Sequence, residues 1–235
     1  MPETIYTIPI NEAFDKCASS ESPICPFCHL EKELENNELD LILGASMMEP
    51  DVRIKTNKSG FCPDHFSKMM TRGKRLPLAL ILESHLNGVF DEITKKEAPV
   101  SADKAVKRIS ELNGSCYVCD RMNYYYTRIM SNAAYMWKLD DGFRPKLRAQ
   151  KCICMKHFAD FASAASRELS KKEFPDFYSD LGEVFASYFK DLCGDVSWFC
   201  KKFDYRYQDE PWYNAKDSVE RAVAFLSGGC PEEKG

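Results

Sequence analysis

The residues in this sequence best suited to chemistry are cysteines and histidines set at short, regular intervals. Cys25-Pro26-Phe27-Cys28 is followed, after 33 intervening residues, by Cys62-Pro63-Asp64-His65. Cys116-Tyr117-Val118-Cys119 is followed, after 34, by Cys154-Met155-Lys156-His157. Thiolate and imidazole are the usual structural ligands of zinc, which takes four of them in a tetrahedron. A Cys-x-x-Cys pair holds an ion when its first residue sits in a turn and its second opens a helix. A Cys-x-x-His pair does the same from another element, because positions i and i+3 share a helix face. The expected ligands are therefore Cys25, Cys28, Cys62, His65, Cys116, Cys119, Cys154 and His157, and the expected cofactor is two zinc ions. Three thiolates and a neutral imidazole around a divalent ion carry a net charge of about −1. Lys32, Lys55, Lys146 and Lys156 are placed to balance it.

The pattern is written twice. Cys116 stands 91 residues after Cys25, and Cys154 stands 92 after Cys62. The offset of 91 also aligns Arg53 with Arg144 and Lys55 with Lys146, as an internal duplication requires. Each half supplies a full set of four, so the simplest expectation is one local site per half. The alternative is exchange, with the Cys-x-x-Cys of one half meeting the Cys-x-x-His of the other. The halves disagree at Cys152, which replaces Gly60 and is either an alternative ligand or a free thiol activated by Lys151. The i, i+3 relation with His157 favours Cys154 as the ligand. Cys17, Cys193, Cys200 and Cys230 have no counterpart in the other half and read as small hydrophobes. His29 aligns with Asp120 and ranks below His65, and His85 reads as a polar tip on a helix face.

An iron–sulfur cluster is the chemical rival, since a cubane can accept three Cys and one His. A thioredoxin-like redox pair is disfavoured, because neither Cys-x-x-Cys follows a strand in a βαβ unit. No nucleophile elbow, phosphate-cradling loop or metalloprotease motif is present. Four protein ligands leave no open coordination position, so the expectation leans away from an enzyme.

The elements that must position these residues read as helices. After each Cys-x-x-Cys comes a stretch poor in Gly and Pro, His29 to Leu43 and Arg121 to Leu139. Leu30, Leu34, Leu41 and Ile42 recur at helical steps, as do Tyr126, Ile129, Met130 and Ala133. Acidic turns follow, at Glu49-Pro50-Asp51 and Asp140-Asp141-Gly142, and each Cys-x-x-His then opens another helix. The first of these meets Gly73 and Pro77 before a helix over Leu78–Ile93. The second runs to Leu169, and a long aromatic helix starts near Pro175. Ser101 caps a helix over Ala102–Leu112, and Lys95–Val100 reads as a hinge. No run of alternating β-branched residues marks a strand. The expected fold is mostly α. It comprises two duplicated metal-binding helical repeats, residues 1–95 and 96–235, in one compact unit with a C-terminal aromatic segment and helix.

Composition bounds the function. The chain has 235 residues, 44% of them hydrophobic, enough to bury a core without disulfides. A net charge of −4 makes nucleic acid an unlikely partner, and Lys68, Arg72, Lys74 and Arg75 read as a solvated helix face. The N-terminus lacks the pattern of a secretory signal, and the apolar stretch Leu76–Leu82 is too short to span a bilayer. The expected location is the cytoplasm. There, eleven cysteines point to metal ligands or free thiols before disulfides, and an odd number excludes complete pairing.

The tail gathers Trp198, Phe199, Phe203, Tyr205, Tyr207, Trp212 and Tyr213 within 16 residues, interleaved with charged side chains. Asn214 is placed to cap a last helix that ends near Gly228-Gly229. The aromatics either pin that helix to the core or offer Trp198, Tyr205, Arg206 and Trp212 to an unknown macromolecular partner.

Cys25-Pro-Phe-Cys28, the block Gly60-Phe-Cys-Pro-Asp-His-Phe66, its echo at Cys154-Met-Lys-His-Phe158 and the tail Lys202-Phe-Asp-Tyr-Arg206 … Pro211-Trp212 … Lys216-Asp217 resemble an uncharacterised bacterial family, domain-of-unknown-function family 6062. The resemblance covers nearly the whole chain. It implies this architecture and a cytoplasmic bacterial setting, and it brings no activity. A zinc-binding helical interaction module is the leading expectation; an iron–sulfur or thiol redox protein and a metal-handling protein are the alternatives.

Overall fold

Apolar residues spaced three and four apart make a helix worth forming, because one face can then be buried. In the computed structural model the described residues are 4–94 and 101–229, and all regular structure among them is helical. In chain order the elements are α1 (Thr4–Ser19), α2 (Pro26–Ile42), α3 (Pro50–Ser59), α4 (Pro63–Thr71), α5 (Arg75–Thr94), α6 (Ala102–Asn113), α7 (Tyr117–Leu139), α8 (Phe143–Arg148), α9 (Met155–Glu168), α10 (Phe174–Lys201) and α11 (Ser218–Ser227). Short 3₁₀ turns lie at Ala45–Met48 and Tyr205–Tyr207. The expected hinge at Lys95–Val100 and Cys230 fall outside the described residues.

The order of elements recurs. A leading helix (α1, α6) precedes the helix carrying Cys-x-x-Cys (α2, α7). A short helix (α3, α8), the helix opened by Cys-x-x-His (α4, α9) and a long helix (α5, α10) follow. The compact units, however, do not divide between residues 95 and 96. One comprises residues 1–32 and 126–235, the other residues 33–125, so α2 and α7 each contribute to both. The reason lies in the leading helices. α1 packs on α8, from the second half, while α6 packs on α3 and α5, from the first.

In the first unit, Ile10, Ala13, Phe14 and Cys17 form the buried stripe of α1. Phe14 meets Phe27 and Phe143 at ring-centroid distances of 5.4 and 4.9 Å. Phe161 continues the stack to Phe27 and Phe177, 4.9 Å from each. Trp137 is buried, and its Nε1 donates to Asp180 Oδ2 at 2.9 Å. Arg144, the residue aligned with Arg53, donates from Nε to Trp137 O and lays its guanidinium 4.2 Å from that ring's centroid.

In the second unit, Leu39, Ile42, Leu43, Phe61, Met69, Leu78, Ile81, Tyr117 and Val118 make the core. Glu49-Pro50-Asp51 starts α3 instead of ending a helix, with Pro50 in the first turn, where a missing N–H costs nothing. Gly73, at φ 71°, separates α4 from α5. Pro77 also lies in a first turn, that of α5, and is tolerated there for the same reason.

Two expected caps change. Ser101 precedes α6 without its side chain bonding the backbone. The last helix begins at Ser218 after Asp217, and Asn214 instead offers its carbonyl to Arg221. Gly228, at φ 73°, ends that helix as the Gly-Gly pair predicts.

Candidate metal centres

The donors are positioned by helix starts. Cys62 and Cys154 precede α4 and α9 in extended conformations, φ −73° and −72°. His65 and His157 then sit in the first turns of those helices. Cys28 and Cys119 lie in the first turns of α2 and α7, and Cys25 and Cys116 stand just ahead of them.

The eight expected ligands come together in two groups of four. Cys25 and Cys28 meet Cys154 and His157; Cys62 and His65 meet Cys116 and Cys119. Each group takes its Cys-x-x-Cys from one half and its Cys-x-x-His from the other, so the local arrangement gives way to exchange. Backbone contacts show why in the second unit: Tyr117 N donates to Gly60 O at 3.0 Å, and Ser115 Oγ donates to Ser59 O at 2.7 Å. These bonds lay the approach to Cys116 beside the approach to Cys62.

In the first centre His157 Nδ1 lies 3.5, 3.2 and 3.1 Å from the Sγ atoms of Cys25, Cys28 and Cys154. Cys28 Sγ is 3.6 Å from Cys154 Sγ. In the second, His65 Nδ1 lies 3.1, 3.3 and 3.4 Å from the Sγ atoms of Cys62, Cys116 and Cys119. Cys62 Sγ is 3.9 Å from Cys119 Sγ. With Zn–S near ~2.3 Å and Zn–N near ~2.0 Å, a coordination tetrahedron has edges of about 3.5–3.8 Å. The donor spacings, 3.1–3.9 Å, come within about 0.4 Å of those edges, so each group has room for one such ion after small side-chain shifts.

Electrostatics also fit a cation. Contacts with Cys116 and then Glu35 raise His65 to about 10 against the pull of burial. Burial disfavours protonation of His157, yet Cys154, Cys25 and Glu31 outweigh it and hold the imidazole up to about 11. Burial and the neighbouring Cys116 push Cys119 up to about 12. Cys154 shifts the opposite way, below its ordinary value, through Cys25, Cys28 and His157. Four crowded donors cannot all take their ligand forms without a positive charge among them, and a divalent ion would supply it.

Two carboxylates complete the centres, and the sequence reading missed both. Glu35 Oε1 accepts from His65 Nε2 at 3.0 Å and from Lys68 Nζ at 2.9 Å. The contact with His65 draws Glu35 down to about 2. Glu31 Oε2 stands 3.2 Å from His157 Nε2, off the N–H line, so that contact is one of charge and not an aligned hydrogen bond. Metal-bound imidazoles are commonly oriented through their second nitrogen in this way. Both acids lie one turn apart on α2, where the surrounding polar residues make them look like a solvated face. Of the four lysines proposed to balance charge, Lys156 reaches a centre, through Glu31 at 2.6 Å. Lys146 pairs with Asp15 and Lys55 with Asp51.

Cys154, and not Cys152, stands in the first group. Cys152 is buried, so the activated-thiol reading loses its access, and Lys151 Nζ donates to the carbonyl of Ser20. Cys17 is buried as a small hydrophobe, while Cys193 and Cys200 are exposed on α10. His85 Nδ1 holds Asn57 O at 2.9 Å.

The tail aromatics divide. Trp198 Nε1 donates to Pro211 O at 3.0 Å, and its ring packs on Tyr207 and Tyr213. Trp212 packs on Phe199 and lies 5.4 Å from Lys202 Nζ, which also donates to the carbonyls of Tyr207, Gln208 and Glu210. These contacts fold the tail back on the end of α10. Tyr205 is exposed, and Arg206 pairs with Asp204 beside it.

Over residues 1–233 the chain matches the model of a family of unknown function, DUF6062. The chain belongs to that family. No curated protein and no solved structure matches it. For this DUF6062 member, no helix among the described residues is long and apolar enough to cross a membrane.

Proposed function

We propose that this protein is a zinc-stabilised helical module whose two ions each staple the halves of the chain to one another, and that it works by binding another macromolecule. The observation that carries the reading is the convergence of three thiols and one imidazole within 4.8 Å, twice, from segments far apart in sequence. A single tetrahedral ion suits that spacing. A cubane gives each cysteine its own iron, so its ligand sulfurs stand farther apart than the edge of one coordination tetrahedron. Four protein ligands close each site and favour a structural role over a catalytic one. The ten described cysteines are free of disulfides, which accords with a reducing, intracellular setting. Exposed Phe203, Tyr205 and Tyr213 beside Arg206 have the chemistry of an interaction surface.

Elemental analysis of protein purified without oxygen tests the metal assignment. Two zinc ions per chain and no iron are expected. Iron with acid-labile sulfide would overturn it.

A further inference from the structure

The two centres differ in what covers them. Around the first, all four ligands are buried: Cys25, Cys28, Cys154 and His157 are 4, 3, 1 and 0% exposed. Phe27 and Tyr126 flank the imidazole, with ring centroids 5.8 and 5.5 Å from it. Around the second, His65 and Cys116 are buried, but Cys62 is half-buried and Cys119 is exposed. Cys62 and Cys119 also face one another, Sγ to Sγ, at 3.9 Å.

We propose that the Cys62–His65–Cys116–Cys119 centre is a modification site for hydroperoxides. Cys119 is the thiolate that reacts, Cys62 is the thiolate that resolves it, and the ion is released. The inference rests on the zinc reading of both centres.

The chemistry follows from burial and ligation. Sulfur oxidation requires a thiolate within reach of the oxidant, and a metal keeps its thiol ligands deprotonated. Both centres supply thiolates, but only the second presents one to solvent. Cys119 Sγ attacks the outer oxygen of the hydroperoxide; the O–O bond breaks and the alkoxide leaves to take a proton from water. The product is a sulfenic acid on Cys119. Cys62 Sγ then attacks that sulfur and expels hydroxide, which also takes a proton. Two electrons pass from the two thiolates to the peroxide, giving one disulfide, one alcohol and one water. A disulfide needs an S–S separation of about 2 Å, which the pair reaches because Cys119, once a sulfenic acid, is no longer a thiolate ligand fixed at the ion. His65 and Cys116 then offer only two donors, and the ion is lost. At the first centre the same reagent meets no accessible sulfur.

The test uses the full chain as purified, treated with tert-butyl hydroperoxide, with a chromophoric indicator to count released zinc and peptide mapping without reductant. Release should stop at one ion per chain, with a Cys62–Cys119 linked peptide and with Cys25, Cys28 and Cys154 still reduced. Dithiothreitol with added zinc should restore the second ion. Cys119→His retains a four-donor set without the reactive thiol, and it should hold two ions and slow the release at least tenfold. Two ions leaving together, disulfides forming first among Cys25, Cys28 and Cys154, or release at the wild-type rate from Cys119→His would overturn the inference while leaving the zinc reading intact. A chain purified without zinc would overturn both.

Discussion

Cys28 Sγ lies 3.6 Å from Cys154 Sγ although 126 residues separate them along the chain. An ion held at such a junction would tie a segment of one sequence half to a segment of the other. Cysteine variants should therefore pair across the halves. Cys28→Ser should lose one zinc, and adding Cys154→Ser should lose no more, because both remove the same ion. Cys28→Ser with Cys62→Ser should lose both. Local sites would reverse these two double-variant results, and zinc counting on the purified proteins separates the cases. A fragment ending near residue 100 keeps one pair from each centre and should bind no zinc tightly.

The candidate ligands were legible in the sequence; their pairing was not. Two Cys-x-x-Cys and two Cys-x-x-His sets at nearly equal spacing satisfy the local and exchanged arrangements alike. What decides is the packing of α1 on α8 and of α6 on α3 and α5, contacts that no local pattern contains. The sequence carried a usable signal for α1 itself. Ile10, Ala13, Phe14 and Cys17 follow the helical steps that marked α2 and α7, and they form the stripe that α1 buries. Glu31 and Glu35 were hidden for a different reason. An acid on a polar helix face shows its role only once the histidine it orients is known, and those histidines arrive from other segments.

Metal removal should expose how much of the fold the ions hold. Structural thiolate sites contribute roughly 10–16 kcal/mol in small zinc peptides, but this chain also has aromatic and aliphatic cores of its own. A strong chelator should lower the melting temperature by on the order of 10 °C or more while far-ultraviolet circular dichroism keeps most of its helical signal. Acid should act in the same direction. The bound ligands are thiolate and neutral imidazole, so each proton taken up competes with the ion, and zinc occupancy should fall as pH falls. An unchanged thermal transition after complete chelation would mean that the ions do not support the fold.

Glu35 should tune the second centre alone. Its carboxylate accepts from His65 Nε2 at 3.0 Å, holding the ring with Nδ1 toward the sulfurs. Glu35→Ala removes that acceptor and leaves Lys68 paired with Asp64 alone. Outer-shell losses of this kind typically weaken metal binding about 10–100-fold. Competition with a chromophoric chelator should resolve one weakened ion and one unchanged ion per chain. Equal weakening of both, or of neither, would remove Glu35 from this role.

Gly60 is where the second unit turns into its Cys-x-x-His, and it does so at φ 61° and ψ −155°, a region that side chains rarely enter. Its carbonyl also accepts from Tyr117 N, so the turn helps set the approach of the Cys116–Cys119 segment. A Cβ added at Gly60 would lie 3.1 Å from His85 Nε2 and 3.2 Å from His85 Cε1. Gly60→Ala should thus cost about 1–3 kcal/mol from backbone strain, with a further loss from the ring contact. The melting temperature should fall by at least a few degrees, and zinc should weaken at the second centre alone. The two causes are separable. His85→Ala relieves the contact but leaves φ positive, so the Gly60→Ala, His85→Ala pair should remain less stable than His85→Ala by itself. Full recovery in the pair would assign the cost to the ring. The aligned Cys152 does not have a positive φ, a state found among described non-glycine residues only at Tyr213. Cys152→Gly should accordingly bring no stability; it should cost about 0.4–1 kcal/mol through the freer unfolded chain and more through the buried side chain it removes. Stabilisation by that change would show that the first unit strains to make a turn the second makes freely.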